Sequence, residues 1–275
     1  MHNTTPKKYI DIDKVIKDKN AEWLPWFVKR YLKRIIHERE FNAMLPRINS
    51  YYKADFARAA MDDMGIKMRF KGLENIPTDH SIIVSANHPL GGVDGLALIV
   101  AVGEVREDIR FLVNDVLLNV ENLKGLFVPV NKFGSNPREA SKIIEETYAQ
   151  DVAILNFPSG LVSRKQKHGI ADLEWKKSFI ARSIKYQKDV LPAHISGRNS
   201  PRFYRISRLR QMLGIQSNIE MMFLADEMLR QSGKTITVTF GQPIPWQTFD
   251  KSKTHSEWAN MVKERVYAMA EKNAP

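Results

Sequence analysis

The chain has 275 residues, with 42 Lys+Arg against 31 Asp+Glu for a net charge of +11, 43% hydrophobic and 27% charged residues, and no cysteine. This is a globular composition, not a disordered one, and the missing cysteine excludes disulfides, thiolate metal sites and a Cys nucleophile. The N-terminus has no apolar core of signal-peptide type, and no apolar run reaches the roughly 18–20 residues that span a bilayer, so a cytoplasmic protein is expected.

Residues 1–65 read as a helical extension. A first short helix is expected from about Asp11 to Lys19, and Pro25 then favours a helix start. Trp23, Phe27, Tyr31 and Ile35 recur at four-residue spacing beside Leu24, Val28, Leu32 and Ile36, with Lys29, Arg30, Lys33, Arg34 and His37 on the other side. Such a basic amphipathic helix either packs its apolar face on a core or lies in a membrane interface. A third helix is expected from Ser50, as N-cap, to Met64 before Gly65.

From Ile66 onward short apolar runs alternate with helical patterns. Ile66–Leu73 alternates apolar and polar, as a half-exposed strand does. Ser81–Ser85 reads as a buried strand, and residues 94–103 have helix length and composition. Strands are expected at 109–113, 127–130, 152–157, 190–195 and 235–240, and helices at 116–126, 136–150, 179–187, 203–212, 221–231 and 258–271. The alternation predicts an α/β fold over 66–275, a largely parallel sheet flanked by helices.

Ligands of open α/β sheets bind beyond the carboxyl ends of the strands. Four such ends carry chemistry-bearing residues: Asn87-His88…Asp94, Val130-Asn131-Lys132, Phe157-Pro158-Ser159-Gly160…Ser163-Arg164, and Pro192-Ala193-His194. The first lies on a strand-to-helix turn through Gly91-Gly92, where unpaired N–H groups and a partly positive helix end favour developing negative charge. His88 is a candidate base, and Asp94 either orients it or only caps the helix. Asn87 either contacts substrate or shapes the turn. Ser159 is a candidate nucleophile, although Phe-Pro-Ser-Gly lacks the usual Gly-x-Ser-x-Gly elbow. His168 and His194 have no metal-type spacing, and no metal site is expected. Residues 160–215 carry thirteen Lys/Arg and three Asp/Glu, a net +10, which suits an anionic membrane surface, a polyanion or a solvated face.

The order and character of these four blocks resemble the glycerolipid acyltransferase superfamily, whose blocks are a His-x4-Asp, a basic headgroup block, a Phe-Pro-Glu-Gly-Thr-Arg-Ser and an apolar Val-Pro. Phe157–Arg164, Asp172-Leu-Glu-Trp-Lys-Lys-Ser-Phe179 and Gly197-Arg-Asn-Ser200 are more similar to the bacterial hemolysin-like, amino-acid-lipid O-acyltransferase branch. Two departures stand out: five residues, not four, separate His88 from Asp94, and Ser159 replaces the Glu. The resemblance implies acyl transfer from an acyl carrier protein or coenzyme A thioester to a hydroxyl of a lipid precursor, either a lysophosphatidate or a mono-acylated amino acid. His88 would be the base and Asp94 its orienter. From the geometry of the turn, and not from the resemblance, Gly91 and Gly92 N–H groups are candidates for an oxyanion hole. Asn131, Lys132, Ser159, Gly160, Ser163 and Arg164 would face the acceptor. It implies no cofactor beyond the thioester, no nucleic-acid partner, and a peripheral place at the inner face of the cell membrane. Two competing readings are a non-catalytic protein on anionic lipid or nucleic acid, and a serine hydrolase using Ser159.

Overall fold

Ile82-Ile83-Val84-Ser85-Ala86 forms a strand because β-branched and small residues fit a pleat covered on both faces. Ile82, Val84 and Ala86 face one core and Ile83 the other, the alternation a strand imposes. The computed structural model describes residues 8–113, 120–129 and 137–270. Among these, a seven-stranded sheet runs β1-β9-β8-β2-β5-β3-β4, and this fully buried strand, β2, is at its centre. The strands are β1 (Lys67–Lys71), β2 (Ile82–Ala86), β3 (Ile109–Val113), β4 (Phe127–Pro129), β5 (Ala153–Asn156), β8 (Asp189–Ile195) and β9 (Thr235–Phe240). All neighbours pair parallel except β8 and β9, which are antiparallel.

One face of the sheet is covered by α3 (Glu38–Ile48), α4 (Lys53–Asp63) and α5 (Gly92–Gly103). Val93 and Leu96–Val102 of α5 are all buried, so this helix is apolar all round and sits between the sheet and α4. Full burial of a side chain such as Leu98 or Ile99 stabilises by about 1.5–3 kcal/mol. The other face is covered by α6 (Pro137–Tyr148), α7 (Ser178–Tyr186) and α10 (His255–Ala268). The rest comprises α1 (Ile12–Asp18), α2 (Trp26–Ile35), α8 (Pro201–Met212), α9 (Leu224–Leu229) and a small hairpin of β6 (Arg164–Gln166) and β7 (Gly169–Ala171).

Several N-terminal expectations are corrected. Ser50 is not a cap: α4 starts at Lys53 after Tyr52, which makes no capping bond. The separate helix α3, with Pro46 inside it, adds to the expected helices. Phe41, Met44, Ile48, Phe56 and Met61 of α3 and α4 enter the same core as β2 and α5. Around α2 the row of Leu24, Val28, Leu32 and Ile36 is half-buried and Ile35, at the end of the other row, is buried, while Trp23 and Trp26 are 78% and 74% exposed and Phe27 and Tyr31 are also exposed. Among the described residues no helix is long and apolar enough to cross a membrane.

Candidate active site

The ends of β2, β5 and β8 lie side by side, with Ser85 in register with Asn156 and with Pro192. The chain leaves β2 through Asn87 and His88 and enters α5 after Gly91. Gly91 has φ +94°, a conformation that favours glycine, and a Cβ there would stand 3.0 Å from the Leu224 side chain. This turn absorbs the extra residue between His88 and Asp94. Asp94, in the first turn of α5, reaches back and its Oδ2 lies 2.9 Å from His88 Nδ1. The same oxygen accepts the N–H groups of Leu90 (2.7 Å) and Gly91 (2.9 Å), so one carboxylate both caps the helix and holds the ring.

Asp94 is completely buried, and burial pushes its carboxyl above the usual range, opposed by His88, Leu90 and Gly91. Two backbone donors on one oxygen favour the carboxylate, so Nδ1 carries the proton and donates. Nε2 then keeps its lone pair as an acceptor. The ring stacks on Phe157, with centroids 4.1 Å apart, and its side chain stays 16% exposed, enough to be reached.

Asp172, from the Asp172–Phe179 segment, supports this turn. Asp172 is fully buried, and its Oδ1 accepts from the His88 N–H (3.1 Å) and from Ser163 Oγ (2.5 Å). Its Oδ2 accepts from Trp175 Nε1 at 2.9 Å. Its backbone N–H donates to Tyr267 Oη (2.7 Å), and its carbonyl accepts from Lys263 Nζ (2.8 Å), both on α10. The signal was the Asp172…Trp175 spacing, which forms this bond.

Other expected site residues do different work. Asn87 donates to the Ile195 carbonyl and accepts the Ile195 N–H, extending the β2–β8 ladder by one step; its amide braces the strand ends. The Gly91 N–H is taken by Asp94, so it is not an oxyanion donor, while Gly92 opens α5. Ser159 donates to the Leu161 carbonyl at 2.8 Å, not to a base, which removes the nucleophile reading. Gly160 closes the turn after β5, its N–H donating to the Phe157 carbonyl. Ser163 is bound to Asp172 and, through its N–H, to the His88 carbonyl at 2.7 Å.

Arg164 is the clearest correction. It is 3% exposed, pairs with Glu220 at 2.8 Å, donates to the Val162 carbonyl and lies over the Phe203 ring. Burial pulls its guanidinium down from the ordinary value, with Glu220 opposing. It ties the 157–164 loop to the 201–223 region and is not available to an acceptor anion. Asn131 and Lys132 lie outside the described residues. The basic segment 160–215 is also partly neutralised: Arg164 and Arg210 face Glu220, Arg182 and Lys185 face Glu145, and Lys188 is buried.

The family described as Acyltransferase matches residues 14–274. A lyso-glycine lipid O-acyltransferase of Phocaeicola vulgatus is 46% identical over 264 residues, covering 94% of this chain and 95% of that protein. One of the same description from Bacteroides thetaiotaomicron is 44% identical, covering 94% and 97%. The crystal structure of PlsC, a 1-acyl-sn-glycerophosphate acyltransferase from Thermotoga maritima, superposes with a TM-score of 0.54 at 17% identity, over 96% of this chain and 97% of that one. This last likeness concerns the fold.

Proposed function

Because this chain belongs to the acyltransferase family and is an O-acyltransferase of lipid metabolism, we propose that its acceptor is the hydroxyl of a mono-acylated amino acid, glycine foremost, and its donor an acyl carrier protein or coenzyme A thioester. The observation that carries the reading is the His88 Nδ1–Asp94 Oδ2 contact, which leaves Nε2 as the accepting nitrogen on a reachable ring. Nε2 takes the proton of the acceptor hydroxyl as its oxygen forms the new bond to the thioester carbonyl carbon. Asp94 stabilises the imidazolium. The tetrahedral intermediate collapses, the C–S bond breaks, and the imidazolium returns the proton to the departing thiolate. Products are an ester and a free thiol, and no acyl-enzyme or further cofactor enters. General base catalysis of this kind contributes about 10²–10⁴-fold.

The acceptor assignment is supported by the two glycine-lipid relatives and by Ser159 in place of the acidic residue of the lysophosphatidate pattern. The test is incubation of purified protein with a labelled acyl thioester and either an N-(hydroxyacyl)glycine or a lysophosphatidate. A diacylated glycine product identified by mass spectrometry supports the proposal. Acylation of the lysophosphatidate alone contradicts it.

The protein works as a peripheral enzyme on an anionic bilayer. This is supported by the outward aromatics of α2, with exposed Arg30 and Arg34 among them, and by exposed Leu209, Met212 and Leu213 at the end of basic α8. Tyr31 of α2 and Arg202 of α8 are 3.5 Å apart, which puts the two helices on one side. Trp26→Glu with Phe27→Glu should reduce co-sedimentation with phosphatidylglycerol vesicles; unchanged binding of the folded variant would overturn the docking face.

A further inference from the structure

The segment Gly197-Arg198-Asn199-Ser200 leaves β8 beside the active-site turn. Gly197 has φ +114°, and a Cβ there would stand 3.1 Å from Leu90 Cδ1, so the segment is pressed against the turn that joins His88 to Asp94. Arg198 stands on the wall shared by two hollows. The larger, about 630 Å³, is bordered by Asn87 and Pro89, the residues flanking His88, and by Arg69. The smaller, about 330 Å³, is bordered by Asn199, Arg230, Lys234 and Glu227, whose carboxylate is taken by the Ser200 N–H and Oγ.

Two observations on this segment point to a ligand. Arg69 and Arg198 are exposed and have no acidic partner among the described residues, whereas Arg230 is held by Asp226 at 2.7 Å. Asn199 is only 2% exposed, yet neither its amide nitrogen nor its amide oxygen has a hydrogen-bond partner. Buried amides are almost always satisfied, so Asn199, which borders the smaller hollow, carries an unmatched donor and acceptor.

We propose that Arg198 and Asn199 form the acceptor headgroup subsite and that it recognises an amide next to a carboxylate. This inference rests on the acceptor reading above and deepens it. A phosphate monoester accepts hydrogen bonds and at neutral pH has little to give to Asn199 Oδ1. A secondary amide supplies an N–H for that oxygen and a carbonyl for Nδ2. The carboxylate one carbon further on matches the planar fork of the Arg198 guanidinium. The N-acyl glycine headgroup contains these three groups and nothing else.

The test compares three acceptors, an N-(hydroxyacyl)glycine, its glycinamide and its N-methylglycine counterpart, in wild type, Arg198→Ala and Asn199→Leu. Arg198→Ala should raise KM for the glycine acceptor at least about tenfold and remove the preference over the glycinamide. Asn199→Leu, of similar volume and with no polar atom to bury, should fold at least as well and remove the preference over the N-methyl acceptor. Unchanged acceptor KM and unchanged preferences in both folded variants would overturn the proposal. So would a raised donor KM with the acceptor KM unmoved, which would place the thioester carrier's phosphates there instead. Calorimetric binding of a water-soluble N-(hydroxyacyl)glycine to wild type and Arg198→Ala is measured alongside. Binding weakened about tenfold in Arg198→Ala supports the subsite even if no transfer is seen, which would count only against the acyl-transfer reading; equal binding overturns the subsite.

Discussion

Asp94 and Glu220 are both fully buried carboxylates facing a cationic or ionisable partner, and they do opposite things. Glu220 lies between Arg164 at 2.8 Å and Arg210 at 2.9 Å, whose side chains are 4% and 10% exposed, so the cluster is closed on every side. Asp94 faces an imidazole whose side chain is 16% exposed, and its other donors are backbone N–H groups of the same turn. A closed ion cluster fixes two segments together. An imidazole backed by a carboxylate, with one ring nitrogen reachable, can take up and return a proton as chemistry proceeds. Burial of charge therefore marks a candidate site here only when one end of the pair stays open.

The sharpest break in this comparison is Asp94→Asn against Glu220→Gln. Asp94→Asn should lower kcat by about 10²–10⁴-fold, because the ring loses its orienter and the imidazolium its counter-charge. Glu220→Gln should instead cost about 3–5 kcal/mol of stability, since it leaves Arg164 and Arg210 uncompensated, with little change in rate per folded molecule. Urea melts and initial rates on both variants separate the two roles. A kcat collapse in Glu220→Gln, measured on fully folded protein, would erase the distinction.

Asp172→Asn sharpens it further. One of the three donors now on its carboxylate, from His88, Ser163 and Trp175, would meet an NH₂ group. The expected result is a loss of about 1–3 kcal/mol in stability and, from displacement of the His88 backbone, a kcat about tenfold lower with KM held. If KM rises and kcat does not, Asp172 supports substrate binding and not the base.

The smallest effect lies far from both sites. Lys185, then Tyr186 and Arg182, hold the Glu145 carboxyl down to about 2 from an ordinary 4.5, joining α6 to α7. A depressed carboxylate stabilises the fold above its unfolded value and loses that contribution as pH falls through the folded one. Wild type should therefore exceed Glu145→Gln by about 1 kcal/mol at neutral pH, the figure being reduced by solvent screening, and the two should converge between pH 4.5 and 2. Chemical denaturation across that range checks it.

The sheet was largely legible because β2, β5 and β9 are apolar or β-branched runs whose neighbours in sequence have helical period. The antiparallel step from β8 to β9 was not, since nothing in Val190–Ile195 or Thr235–Phe240 encodes direction. The β6–β7 hairpin escaped because three-residue strands carry too little pattern to register. At the site, His88 and Asp94 could be named from the turn, but their contact depends on the φ of Gly91. Arg164 reads as a surface cation until Glu220, 56 residues away, is placed beside it. Asp172 and Asn199 belonged to quoted motifs, yet their importance comes from burial, which the local sequence does not express.

The central claim is that His88 is the base for transfer of an acyl group to a lipid hydroxyl. Its most direct test is the initial rate of diacyl product formation by His88→Ala at saturating thioester and acceptor, with its thermal melt matched to wild type. The expected rate is lower by at least about 100-fold. Equal rates from the two folded proteins would contradict it.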